Sequence, residues 1–415
     1  MVNESLDILF LGGLFPKGRE DEVICNSKRY VQNAANVLQY AIVEGLDINC
    51  LEPVRILNAL FVGSFPTRYK KLFLNSYPFS HTEGAEDFNV GWFNLIGLSR
   101  VSKYFALMPH VKKWAQEKTK KRKIIIAYAA TPVFTGILRY AKKLNSAITT
   151  CLIVPDLPRY MNTSLSSSAI YSVLKNLETK QILRHMPYID RYVLLAEHMR
   201  DVLGIDVPYV VMEGIATDCF EGVSSVSGES DTKTILYSGI LAKRYGLVDL
   251  VKAFTRLPNP DYRLVICGEG DSEGFIKLES QKDKRIVFNG LLPRSEVLSL
   301  QKSASVLVNP RSNDEEYTRY SFPSKILEYM SSGTPVISYK LDGIPNEYFQ
   351  YMYTINERGR AEDAIYSTLK DILSKSEEEL SEMGKKAREF VLREKNSAVQ
   401  TLKIIKMIDS GIRLR

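Results

Sequence analysis

The stretch Tyr317-Thr-Arg-Tyr-Ser-Phe-Pro-Ser-Lys-Ile-Leu-Glu-Tyr-Met-Ser-Ser-Gly333, continued by Thr-Pro-Val-Ile-Ser338, reads as a loop, a short helix, a glycine stop and a buried strand. Pro323 suits the first turn of the helix, where its missing N–H costs nothing, and Gly333 suits the residue just past the end. Ile326, Leu327 and Met330 form an apolar stripe, and Lys325 and Glu328 share the opposite face. A lysine in the first turn opposes the helix dipole, yet together with the free N–H groups there it suits a bound phosphate. Glu328, one turn deeper, is then placed to accept hydrogen bonds from sugar hydroxyls. An ordinary solvated Lys–Glu pair fits the same spacing.

Outward from this stretch, strand and helix patterns alternate along the chain, which predicts a doubly wound α/β architecture with parallel sheets. Leu9 to Pro16 is a strand running into a glycine-rich loop, whose Gly12 and Gly13 allow backbone N–H groups to approach a ligand; a plain turn reads equally well. Arg29 to Glu44 has helical periodicity and meets Gly45, a stop. Residues 51–63 and 123–130 are buried parallel strands by composition. The strand beginning at Cys151 ends in Pro155-Asp156, where Asp156 either serves chemistry or shapes the turn. Farther on, Thr234–Gly239, Arg263–Gly268, Ile286–Gly290 and Ser305–Arg311 are strands, Leu247–Leu257 is a helix, and 221–232 is a Ser/Gly-rich surface loop. The strands present Gly239, Gly268, Gly290 and Arg311 at their carboxyl ends, where ligands bind in such sheets.

With 415 residues, two domains are expected. Hydrophobic content of 45% and charged content of 25% are those of a soluble globular protein. The five cysteines are scattered, which predicts a reducing compartment and no zinc site. No apolar run is long enough to span a bilayer, and the N-terminus reads as a first strand rather than a signal peptide. Between Arg100 and Lys143 there are 12 basic residues against one acidic residue, Glu117, beside Val101, Tyr104, Phe105, Met108, Val111 and Trp114. That combination fits an interfacial helix on an anionic membrane surface; a core-facing helix with a solvated basic edge fits it as well. P-loop, nucleophile-elbow and paired-histidine metal signatures are absent, and the four histidines are dispersed.

The stretch from Tyr317 to Ser338 resembles the signature of family 4 glycosyltransferases of the GT-B fold, in which a Glu, seven residues and a second Glu precede a small-Gly-x-Pro-Val strand. Glu328 matches the second Glu and Ser332-Gly333-Thr334-Pro335-Val336 the strand entry; the first Glu falls at Tyr320, a departure. The variant is similar to bacterial capsule, exopolysaccharide and O-antigen enzymes. The resemblance implies two Rossmann-like domains facing a central cleft: an acceptor-binding domain over 1–215, a nucleotide-sugar domain over 216–395, and a helix over 396–415 crossing back to the first. It implies a nucleotide-sugar site formed by Gly12, Gly13, Gly239, Lys243, Arg244, Gly268, Gly290, Arg311, Tyr320, Ser321, Phe322, Lys325 and Glu328. Relatives clamp the pyrophosphate with an Arg and a Lys at positions that are Ile240 and Tyr245 here, so Lys243 and Arg244 are the displaced candidates. Asp156 matches a sugar-facing Asp whose preceding His is Pro155. Asp156 and Lys325 are the catalytic candidates. The implied activity is retaining, metal-independent hexosyl transfer, without a cofactor, from a nucleotide sugar to a lipid-linked saccharide at the cytoplasmic face of the cell membrane, with no nucleic-acid partner. A non-catalytic sugar-nucleotide binder and a GT-B epimerase are the alternatives.

Overall fold

The structure is a computed structural model and describes residues 6–28, 31–158, 169–224, 232–357 and 359–410. The chain forms two compact units, one running to Ile215 and resuming at Ser397, the other from Ala216 to Asn396. Part of the 221–232 loop, the beginning of the Arg29 helix pattern and the end of the last helix lie outside the described residues.

The first unit is an eight-stranded sheet made of β1 (Leu6–Gly12), β2 (Arg55–Asn58), β3 (Tyr77–Phe79), β4 (Asp87–Asn89), β5 (Arg122–Tyr128), β6 (Thr149–Val154), β7 (Arg191–Leu194) and β8 (Tyr209–Val211), in the order β3-β4-β2-β1-β5-β6-β7-β8. Its central strands are apolar on both faces: Ile124, Ile125, Ile126 and Ala127 are all fully buried, as covered parallel strands require. The long strand read over 51–63 shrinks to four residues. The antiparallel β3–β4 pair at the edge has no counterpart in the sequence reading.

Gly45 does not stop its helix, which runs from Asn33 to Asn49. A Cβ at Gly45 would lie 2.2 Å from the carbonyl oxygen of Ser397. The glycine costs the helix about 1 kcal/mol relative to alanine but lets the Ser397–Ser410 helix lie against it. Asn49 Nδ2 donates to the Ala398 carbonyl at 2.8 Å, and Gln400 Nε2 donates to the Gly214 carbonyl at 2.8 Å, fixing the terminal helix in the first unit.

At the amino end of the same sheet, His81 sits between two carboxylates, Asp87 at 2.6 Å and Asp47 at 2.8 Å. Burial opposes its protonation, but the hydrogen bonds to Asp47 and Asp87 push the imidazole up to about 9. A raised folded pKa gives stability that is complete below the unfolded value near 6.5 and is lost as pH rises through about 9. Thermal unfolding should therefore show wild type losing stability between these values, while His81→Gln is less stable at pH 6 and flatter across the range. Identical pH profiles for the two proteins would contradict the assignment.

The second unit is a six-stranded sheet of β9 (Lys233–Ser238), β10 (Tyr262–Cys267), β11 (Ile286–Gly290), β12 (Val306–Asn309), β13 (Val336–Tyr339) and β14 (Tyr353–Ile355), all parallel in the order β11-β10-β9-β12-β13-β14. The helix read around Lys325 begins at Lys325 itself and ends at Ser331, so Pro323 stands just outside it. Its carbonyl still accepts the Ile326 N–H at 2.8 Å. Gly333 takes the left-handed conformation past the helix end, φ +79°, which favours glycine.

Candidate active site

β9 delivers the chain into the loop Gly239–Gly246, and the Lys325–Ser331 helix packs beneath it through Tyr329, which is fully buried. The Ser238 N–H donates to the Tyr329 hydroxyl oxygen at 2.9 Å. A Cβ at Gly239 would sit 1.6 Å from Lys325 Nζ, so the lysine reaches its place only because position 239 is glycine. There the ammonium lies 4.5 Å from the centre of the Tyr237 ring. Burial pulls Lys325 down to about 8, with Glu328 only partly opposing.

The solvated Lys325–Glu328 pair does not form. Glu328 accepts from Gln301 Nε2 at 2.8 Å and faces Arg294 at 3.4 Å. Gln301 and Arg294 lie on the Arg294–Ser303 helix and carry no motif, so sequence reasoning missed them. Lys325 has no carboxylate partner among the described residues.

Three loops meet at this carboxyl edge. The Leu241 N–H donates to the Glu269 carbonyl at 2.8 Å, the Lys243 N–H to Asp271 Oδ1 at 2.7 Å, and the Gly268 N–H to the Gly290 carbonyl at 2.7 Å. The Gly239 N–H donates to the Cys267 carbonyl at 2.8 Å. The amides of Gly239 and Gly268 are thus spent on the chain, and these glycines let the loops pack closely. Lys243 and Arg244 are exposed. The Arg244 guanidinium lies 5.5 and 5.3 Å from the Tyr245 and Tyr317 ring centres. Arg311, buried, lies over the same two rings at 5.6 and 4.5 Å and donates from Nη2 to Ser321 Oγ at 2.8 Å.

Tyr320 is half-buried, its hydroxyl 3.4 Å from Glu316. Phe322, expected at the ligand, is a core residue instead: it is buried and packs on Tyr348 with ring centres 5.3 Å apart. An apolar ring following the loop is drawn into the core, leaving the backbone alone near the site.

In the first unit, the Gly13 N–H donates to the buried Gln39 side chain at 2.8 Å, and a Cβ there would run into the Phe61 ring. Gly13 therefore accommodates packing, and its amide is not free for a ligand; Gly12, at the end of β1, gives its carbonyl to the Ala59 N–H at 2.8 Å. Asp156 lies two residues past β6, exposed, with no hydrogen-bond partner among the described residues. Sequence reasoning passed over Lys103, whose ammonium sits 4.0 Å from the Trp92 ring centre and donates to the Leu60 carbonyl at 3.3 Å; burial pulls it down to about 7.

The basic run from Arg100 to Lys143 is not one patch. Arg100 pairs with Glu178, Lys121 with Glu52, Arg122 with Asp409, Lys123 with Asp7 and Lys142 with Asp190. Carboxylates distant in sequence neutralise charges that look unpaired along the chain. Lys112, Lys113, Lys118 and Lys120 stay exposed. The Ser99–Gln116 helix buries Leu107, Val111 and Trp114 inward, while Leu98, Val101 and Phe105, all at least half exposed, form a second stripe facing outward. No helix among the described residues is long and apolar enough to cross a membrane.

Residues 224–390, nearly all of the second unit, match the family model for glycosyl transferases group 1. A D-inositol 3-phosphate glycosyltransferase of Corynebacterium glutamicum is 30% identical over 125 residues, which are 28% of this chain and 28% of that relative. The chain thus matches under a third of that relative's length. Sucrose-phosphate synthase from Thermosynechococcus elongatus has a TM-score of 0.61 at 16% identity, with 97% of this chain and 98% of that one covered. The catalytic domain of starch synthase IV from Arabidopsis thaliana, bound to ADP and acarbose, has a TM-score of 0.61 at 9% identity, with 98% and 99% covered. The fold is GT-B, as the resemblance around Glu328 implies. A specific likeness to capsule and O-antigen enzymes is not among these findings.

Proposed function

We propose that the protein is a retaining glycosyltransferase that takes a hexosyl group from a nucleoside diphosphate sugar held by the second unit and passes it to a saccharide acceptor. The observation that carries this reading is Lys325, a partly buried ammonium without a carboxylate partner among the described residues, seated against Gly239 and the Tyr237 ring. Such a cation is costly unless an anion meets it. The diphosphate supplies that anion, and its charge grows as the glycosidic bond breaks, which is when the cations stabilise it most. With these side chains facing the leaving group, transfer is metal-independent in this reading. Glu328, oriented by Gln301, holds sugar hydroxyls. The match over 224–390 and the ADP complex of the starch synthase support a nucleotide donor.

For the acceptor we infer a lipid-linked saccharide of cell-surface polysaccharide assembly, at the cytoplasmic face of the membrane. The exposed stripe of Leu98, Val101 and Phe105 near Lys112 and Lys113 supports contact with an anionic bilayer. Each exposed Lys near the surface contributes about 1 kcal/mol. Binding to anionic vesicles should weaken steeply with salt, fail on neutral vesicles and drop in Phe105→Ser; equal binding to both vesicle types would contradict it.

Incubation with UDP-, ADP- and GDP-sugars, with and without lipid-diphosphate and soluble sugar acceptors, tests the function. Acceptor-dependent release of nucleoside diphosphate with a new glycoside supports it. Interconversion of the free donor sugar would mean an epimerase, binding without turnover a non-catalytic binder, and no interaction with any of them would overturn the reading.

A further inference from the structure

Arg311 is 8% exposed. Its Nη2 donates to Ser321 Oγ, its Nε is buried without a partner, and its Nη1 makes no hydrogen bond among the described residues. No carboxylate there pairs with it. The acids of the 314–316 stretch point elsewhere: Asp314 accepts from Ser312 Oγ, and Glu316 is near the Tyr320 hydroxyl. Instead, the guanidinium shares the Tyr245 and Tyr317 rings with a second cation, Arg244. Burial and the nearby Arg244 both pull its pKa below the usual arginine range.

The charges do not balance with a neutral sugar. Lys325, Arg244 and Arg311 gather at one carboxyl edge, and among the described residues none has a carboxylate within ion-pair distance. A nucleotide sugar's diphosphate brings one negative charge on each phosphate, which answers two cations and leaves the buried one unpaired. Unpaired buried charge is the costly case. The residue that Arg311 contacts, Ser321, directly follows Tyr320, where the motif's first carboxylate would stand.

We propose that Arg311 reads a carboxylate on the transferred sugar, so that the donor is a nucleoside diphosphate hexuronate rather than a neutral hexose. This rests on the nucleotide-sugar reading above. The free Nη1 donates to the sugar carboxylate, a charge-assisted contact that a hydroxymethyl group cannot match. Arg311 thereby determines specificity, while Lys325 and Arg244 answer the diphosphate.

The test is the affinity of wild type, Arg311→Lys and Arg311→Gln for matched donors, UDP-glucuronate against UDP-glucose and GDP-mannuronate against GDP-mannose, with UDP and GDP alone. In the pair whose base is accepted, the hexuronate should bind wild type about ten- to a hundredfold tighter. The ratio should fall towards unity in Arg311→Gln and stay intermediate in Arg311→Lys, with affinity for the bare nucleotide little changed. A purely structural arginine would weaken both sugars equally and leave the ratio intact, which overturns the proposal. Wild type that binds nucleoside diphosphate but ranks the two sugars equal also overturns it, independently of any variant's folding. An Arg311 effect that appears with neutral donors only when a phosphate-bearing acceptor is added would move the anion to the acceptor and equally refute it. If wild type binds no nucleoside diphosphate at all, the nucleotide-sugar reading itself fails.

Discussion

Lys325→Ala should lower kcat/KM by roughly 3–4 kcal/mol, nearly all of it in kcat, as removal of a preorganised charge-stabilising donor does elsewhere. The ammonium is held by packing rather than by an ion pair, so it costs no reorganisation when charge develops on the leaving diphosphate. Arg244→Ala should cost less, because Arg244 is exposed and Lys243 stands beside it. Lys325→Met separates catalysis from folding. The folded pKa of Lys325 lies near 8, below its ordinary value of 10.5, so the unfolded chain binds the proton more tightly and wild-type stability rises with pH between those values. The methionine variant should lack that rise and unfold no earlier than wild type at neutral pH. Unchanged kcat and KM in Lys325→Ala would reduce the lysine to a packing residue.

Asp156→Asn should lower turnover by about ten- to a thousandfold with nucleotide affinity little changed. Asp156 has no hydrogen-bond partner among the described residues, so the variant should fold and melt like wild type. We propose chemistry on the transferred sugar as the role of this exposed carboxylate, two residues past the end of β6. Steady-state kinetics at saturating donor decide it: full turnover in a folded Asp156→Asn protein removes the residue from the site.

The parts of the fold that sequence reasoning recovered are those with strong local punctuation. The helix at Lys325 is bracketed by Pro323 and Gly333, and the strands that deliver Gly239, Gly268 and Arg311 are unbroken apolar runs ending in turn residues. β3 and β4 are three residues each, too short to show a period. Gly45 shows the limit from the other side, since a glycine that ends a helix and one that admits a neighbouring helix look alike in sequence. At the site, the residue types were legible but their partners were not. Nothing near Phe322 in the chain marks Tyr348 as its partner, nothing near Gly13 marks Gln39, and nothing near Lys325 marks the Tyr237 ring or the Gln301 that takes Glu328 away from it. Five of the twelve basic residues in the Arg100–Lys143 run pair with acids supplied by distant segments, so charge counted along the chain overstated the patch.

The central claim is that Lys325 is a partly buried cation, unpaired by any described carboxylate, that meets a diphosphate, and proton uptake on binding tests it most directly. Calorimetric titration with UDP, ADP and GDP near pH 8, repeated in buffers of different ionisation enthalpy, counts the protons taken up. Because an anion beside Lys325 raises its pKa from about 8, wild type should take up a fraction of a proton with the diphosphate it accepts, and Lys325→Met should take up none. Diphosphate binding without proton uptake, or the same uptake in Lys325→Met, would contradict the account.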